Sequence, residues 1–419
     1  MKYDFDSYLL YEMTPQAVYT CRARVDLTIP VREEVLRSAA EKAFRRFPYF
    51  ARTIRLNEEN AFELEPSDAP IVVKEEGAPI TLGSEETNGL LFAITYTGNR
   101  IYFNFAHNFC GGCGAMFWIK STLWQYLTDE GYDIDPEGIL VPGSPLQEGE
   151  TDSPVIETLP DEEPIYEYNG GDSFFPGMDY MEFFQDPSSG GQSYQPVIIE
   201  KKALMNYARE NDGSPNSILA AAMFRMCSRM FADAEQISGG IVCNYRADVG
   251  CPDTYRDLVR LLHVAYKMDI KDWPIEKLST VTRSAIYLQS EPELSWKECR
   301  KLYELRDRID QLPELDQKMG YALEHSLLRY GPQDTFQVSY VGNINWGGLS
   351  EYMQEIYAIT QGHLMLEVNA TTDKFCISFQ TLTKAETYLE AFLKVLEEEG
   401  IPYEVGEKEP SNLPQIQFV

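Results

Sequence analysis

Between Arg100 and Leu127 the chain reads RIYFNFAHNFCGGCGAMFWIKSTLWQYL, and no other stretch limits the possible folds as much. Ile101, Phe103 and Phe105 alternate with Tyr102, Asn104 and Ala106, the period-two pattern of a strand. The alternation runs into His107 and then Gly111, Gly112 and Gly114; Met116, Ile119, Leu123 and Leu127 follow on one side of a helix. A strand that passes through glycines into an amphipathic helix belongs to a layered sheet-and-helix protein. His107 is one of four histidines in 419 residues. The alternation puts it on the aromatic side, toward packed protein, unless the backbone turns there. The glycines permit a sharp turn and leave room for a ligand beside the ring. An imidazole that titrates near neutrality can take a proton from a hydroxyl or amine held within hydrogen-bond reach.

Strand and helix patterns alternate along the rest of the chain. TPQAVYTCRARVDLTI ends strand-like, and PVREEVLRSAAEKAFRRF is helical, opened by Pro30 and stopped by Pro48. Residues 121–200 hold 18 acids and no Lys or Arg, with GG at 170–171 and 190–191, and read as an extended crossover with a solvated acidic face. The expected division is 1–165, a connection over 166–195, and 196–419. In the second half, Ser214 or Asn216 caps SILAAAMFRMCSRMFADA, with Pro215 in its first turn. Helical patterns are expected over about 253–268, 275–288 and 295–328. FQVSYVG reads as a strand, GHLMLEVNATTDKFCISFQT as a hairpin and KAETYLEAFLKVLEEEG as a last helix. The fold class is mixed α/β, without a GxGxxG or phosphate-loop lysine motif.

Charge and cysteines narrow the function. A formal charge of −30 repels nucleic acid and anionic lipid. No apolar run reaches membrane-helix length, and MKYDFDSYLLYEM lacks a basic–apolar–small export pattern, so a cytoplasmic location is expected. The eight cysteines show no disulfide spacing, and Cys110–Cys113 has no second pair to complete a metal site; no metal is expected.

The run H-N-F-C-G-G resembles the H-x-x-x-D-G motif of the CoA-dependent acyltransferase superfamily, which includes chloramphenicol acetyltransferase, plant BAHD and alcohol acyltransferases, and peptide-synthetase condensation domains. TPQAVYTCRARV, VLRSAAEKAFRRFPYFARTI, SPNSILAAAMFRM, GGIVCNYRADVG and SYVGNINWGG match further segments in order. The resemblance implies two similar chloramphenicol-acetyltransferase-like domains around a cleft or tunnel. An acyl-CoA or acyl-carrier-protein donor and a small-molecule acceptor meet there, with no permanently bound cofactor. It also implies that His107 is the general base, that Gly112 matches the motif glycine, and that Cys110, Gly111, Gly112, Ser339, Tyr340 and Trp346 line the pocket. Asn343 and Asn345, with Ser339 and Tyr340, are candidate donors to the developing oxyanion.

Two departures stand out. Gly111 occupies the motif's aspartate position, and Asn343 the acid position of a late D-F-G-W-G segment. A buried arginine without its acid is costly, so Arg246 is expected to be rerouted to Asp248 or another local acceptor, or exposed. CoA phosphates need local cations, for which Arg22, Arg24, Arg45, Arg46, Lys201, Lys202 and Arg209 are the candidates. The alternative to acyl transfer is a catalytically inactive relative that binds an acylated carrier or a small hydrophobic ligand between its domains.

Overall fold

The first-half alternation becomes a five-stranded sheet that borrows a strand from the second half. In the computed structural model, which describes residues 8, 10–13, 19–166, 168, 193–325, 334–342 and 344–417, β1 (Thr20–Leu27) leads to α1 (Glu33–Phe44). The hairpin β2 (Arg52–Leu56) and β3 (Phe62–Pro66) follows, then β4 (Val72–Glu75), β5 (Thr81–Leu82), β6 (Phe92–Thr97), β7 (Arg100–Ala106) and α2 (Gly111–Asp129). The acidic connection is largely extended where described, and most of 166–195 lies outside the described residues.

The second half runs β8 (Ser193–Glu200), α3 (Lys201–Glu210), α4 (Pro215–Met230), β9 (Gln236–Asn244), β10 (Val259–Lys267), α5 (Ile275–Gln289), α6 (Pro292–Asp310) and α7 (Leu315–His325). It closes with β11 (Phe336–Tyr340), β12 (Met353–Ile359), β13 (Met365–Ala370), β14 (Lys374–Gln380) and α8 (Ala385–Glu398). The first sheet is ordered β12-β1-β7-β6-β4, and the second contains β10-β9-β11-β13-β14-β8. β12 pairs antiparallel with β1, Arg22 opposite Ile359, so the second half completes the first sheet.

Each sheet has its own apolar layer. In the first, Trp118 of α2 meets Phe92 at 5.3 Å and Phe103 at 5.1 Å, edge to face. Removing the Trp118 side chain would cost about 3–5 kcal/mol. In the second, Phe336, Val338, Leu366, Val368 and Phe379 face α4 and α8. Ser214 caps α4 in a reciprocal box with Ser217, and Pro215 stands in the first turn, as its sequence requires. No helix among the described residues is long and apolar enough to cross a membrane.

Three expectations fail locally. The 253–268 helix is not formed: Val259–Lys267 is a strand paired antiparallel with β9. Its buried Leu262, Val264 and Tyr266 recur every second residue, a signal blurred by the Leu261–Leu262 doublet. The 295–328 helix is two, broken before Pro313, whose ring and missing N–H cannot continue a helix. The glycines after His107 lie inside α2, which starts at Gly111 rather than Ala115.

Candidate active site

β7 stops at Ala106, and residues His107–Phe109 make a single 3-10 turn. The strand pairing carries one residue further, so His107 still faces the side of its cross-strand neighbour Tyr19, the aromatic side that alternation predicts. The His107 backbone N–H donates to Tyr19 O at 2.9 Å, and its ring meets the Tyr19 ring at 4.6 Å. The side chain keeps 18% of its surface exposed.

The residue that faces it comes from the other half. His107 Nδ1 lies 3.0 Å from Oδ2 of Asp257, whose side chain is 5% exposed. The separation is that of a hydrogen-bonded pair, although the N–H direction misses the strict hydrogen-bond line. Burial disfavours the imidazolium, but the Asp257 carboxylate, assisted by Glu367 and opposed by Arg246, more than offsets it and holds the His107 pKa above its ordinary value.

The glycines are there for this approach. Gly111 has φ +55, and a Cβ on it would land closer than 3.0 Å to Asp257 Oδ1. A Cβ on Gly114 would collide with the Tyr255 carbonyl oxygen. The room expected for a ligand at these two positions is thus taken by protein. Gly112 is less confined, its absent Cβ 3.3 Å from Val341.

Arg246 fastens the same segment. It is buried, and its Nε donates to Thr254 O at 2.9 Å and its Nη2 to Cys110 O at 3.2 Å and to Arg256 O. It is rerouted to local carbonyls, as one of the expected alternatives has it. Asp248 is not among the acceptors of these bonds; its carboxylate accepts from Ser295 Oγ at 2.6 Å and ties α6 to the loop after β9. On the far side of the segment, Arg46 pairs with Glu150 at 2.7 Å, and the Tyr255 hydroxyl joins that pair. Arg256 Nη1 donates to the Tyr49 hydroxyl at 2.9 Å.

The remaining sequence candidates divide. Cys110 is fully buried and contributes its carbonyl; Cys113 is half-buried, with its thiol pKa pushed up by burial. All eight cysteines are free thiols, and the described residues contain no cluster able to hold a metal. Ser339 of β11 stands opposite Glu367 of β13 in parallel register, so both point to the sheet face turned away from α4. Tyr340 points the other way and meets Phe375 at 5.9 Å, which makes it packing for the second core. Trp346 is buried, its Nε1 donating to Ala370 O at 2.8 Å. Asn345 is exposed and accepts from Gly347 N–H, a turn contact. Asn343 lies outside the described residues.

Three of the five arginines expected to meet phosphate are buried and already occupied, while Arg209 is exposed beside Asn206. Arg22 pairs with Glu76 at 2.7 Å, Arg24 with Asp26 and Glu409, and Arg46 with Glu150. Arg45 is exposed beside Glu41.

Sequence reasoning missed two acids. Asp257 sat in a stretch read as helix. Glu367 is 4% exposed on β13 and accepts from Thr360 Oγ1 at 2.9 Å; burial pushes its pKa up. Only the vacancy at Gly111 hinted that another acid was needed.

No protein-family model and no curated protein matches the sequence. Solved structures do. TRI101 of F. sporotrichioides, in complex with coenzyme A and T-2, is 11% identical with a TM-score of 0.61, covering 95% of this chain and 98% of its own. Polyketide synthase associated protein 5 of Mycobacterium tuberculosis is 12% identical with a TM-score of 0.57, covering 92% and 96%. The first condensation domain of the calcium-dependent antibiotic synthetase, solved with a substrate analogue, is 12% identical with a TM-score of 0.55, covering 95% of each chain. At such identities the likeness concerns architecture: this chain has, over nearly its whole length, the mixed α/β fold shared by these proteins.

Proposed function

We propose that the protein transfers an acyl group from a thioester of CoA or of an acyl-carrier protein to a small alcohol or amine, with His107 as general base. The observation that carries this reading is the part-exposed His107 ring at the end of β7, with Nδ1 turned to a buried carboxylate. That orientation leaves Nε2 for the substrate. The full-length likeness to TRI101, solved with coenzyme A, supports the donor class.

In this mechanism Nε2 takes the acceptor's proton while its oxygen or nitrogen attacks the thioester carbonyl. The tetrahedral oxyanion then collapses, the carbon–sulfur bond breaks, and the imidazolium returns its proton to the leaving thiolate. No covalent enzyme intermediate is required. Ser339 is the candidate oxyanion donor on the sheet face of Glu367, to which its hydroxyl is hydrogen-bonded, so it must turn from that carboxyl to serve the oxyanion. The halves 1–165 and 196–419 form the two walls of the site, joined by 166–195.

A binding-only reading is favoured by one feature: the buried arginines are spent on internal acids rather than left for phosphate. One experiment separates the two. The protein is incubated with acyl-CoA and acceptor libraries, product is followed by mass, and the assay is repeated with His107→Ala. Transfer lost by roughly 10²–10⁴-fold supports the assignment. Equal turnover by the folded variant rejects it, and saturable binding of an acylated carrier or a small hydrophobic ligand without turnover by either protein selects the binding reading.

A further inference from the structure

We infer that Asp257 is the positioning residue of His107, an acid supplied by the second half of the chain in place of the one missing at Gly111. This deepens the proposed function, since it rests on His107 as the base.

Two contacts of the carboxylate and the anchoring of its segment converge on it. The Asp257 carboxylate crowds the place where a side chain on Gly111 would begin: Oδ1 lies closer than 3.0 Å to the Cβ position, while Oδ2 is 3.0 Å from His107 Nδ1. A side chain at 111 and a carboxylate from 257 are therefore mutually exclusive, and the glycine is the condition for the substitution. The segment that carries Asp257 is also fixed on both sides. Arg246 clamps Thr254 and Arg256 to Cys110, the residue before Gly111. Opposite, Tyr255 N–H donates to Glu150 O at 2.9 Å and Arg256 Nε to Thr151 O at 3.0 Å. The backbone that presents the carboxylate to the ring is thus held from both sides.

The chemistry follows from the pairing. A carboxylate opposite Nδ1 keeps the proton of the neutral ring on that nitrogen and stabilises the imidazolium formed when Nε2 takes the acceptor's proton. The other groups around the ring are Tyr19, edge-on, Glu367, which adds to the effect of Asp257, and Arg246, which opposes it. Because ring and acid come from different halves, the base is complete only when the two halves are docked.

Histidine titration tests the assignment without a known substrate. Protein with 15N-labelled histidine is followed from about pH 5 to about pH 9 as wild type, as Asp257→Asn, and as the exchange Asp257→Gly with Gly111→Asp. Wild-type His107 is expected to titrate above the ordinary histidine value, with the neutral ring protonated at Nδ1. Asp257→Asn should drop the midpoint below that value, because burial then acts with little opposition, and the exchange should raise it again. An unmoved midpoint in folded Asp257→Asn overturns the proposal. Should that variant fail to fold, the wild type decides alone: a midpoint at or below the ordinary value, or a neutral ring protonated at Nε2, is contradictory. Kinetics separates this proposal from the activity it rests on. Asp257→Asn is expected to lower kcat by about 10²–10⁴-fold, with KM changed little. A shifted midpoint with no transfer by any protein refutes acyl transfer and leaves the pairing standing. Full transfer with an unshifted midpoint refutes the pairing alone.

Discussion

Two histidine–aspartate pairs in this protein have almost the same contact and different settings. His107 Nδ1 stands 3.0 Å from Asp257, and His263 Nδ1 2.9 Å from Asp334. Each aspartate sits over a glycine whose missing Cβ makes room for it, Gly111 in one case and Gly240 in the other. His263, however, lies in the middle of β10, its backbone N–H and carbonyl both held by the Gln289 side chain. Its partner directly precedes β11, a strand of the same sheet, so this pair is internal to one layer. His107 stands at a strand end, followed at once by a helix, and its partner arrives from the other half of the chain. The contact alone therefore does not mark a candidate base; the proposal for His107 rests on its place at the junction of the two halves.

The largest expected effect separates the pairs directly. His107→Ala should lose about 10²–10⁴-fold in turnover, while His263→Ala should stay within about twofold. Equal losses would erase the distinction. Next comes the anchor of the Asp257 segment. Glu150→Ala leaves buried Arg46 without its acid and should cost about 3–5 kcal/mol in chemical denaturation.

The glycines give a smaller effect with a sharper contrast. Gly114→Ala forces a methyl against the Tyr255 carbonyl and should cost about 1–3 kcal/mol while also lowering turnover, because the Asp257 segment must retreat. Gly240→Ala meets Asp334 and should destabilise by a similar amount with turnover unchanged. Loss of turnover in Gly240→Ala would give the second pair a part in the reaction.

The smallest effect is in pH. A base must be neutral, so the acid limb of kcat/KM should fall at a midpoint above the ordinary histidine value, about 6.5. The sign for stability follows from the same raised pKa. The pair stabilises fully below the unfolded pKa, and that contribution is lost as pH rises through the folded one. The melting-temperature advantage of wild type over His107→Gln should therefore shrink from about pH 5.5 to about pH 9.

Much of the layered fold was legible because its signals are local. The alternation of Ile101, Phe103 and Phe105 specifies β7, and the Ser214–Pro215 cap specifies the start of α4. His107 was legible because the strand-to-glycine transition singles it out. Asp257 was not, because its role depends on a three-dimensional approach between segments 150 residues apart in a chain with 66 acids. The doublet Leu261–Leu262 hid the period of β10, and with it the fact that residues 254–257 form the segment leading into a strand. Nor could spacing reveal that β12 would leave its sequence neighbours for β1, since the pairing depends on how the halves dock.

A structure of the protein with CoA bound decides whether His107 stands as the base of the proposed acyl transfer. The CoA sulfur is expected in contact with the Nε2 side of the His107 ring, with Nδ1 still turned to Asp257 and Gly111 still covered by that carboxylate. CoA seated away from the ring, or a ring turned so that Nε2 faces Asp257, would contradict that role.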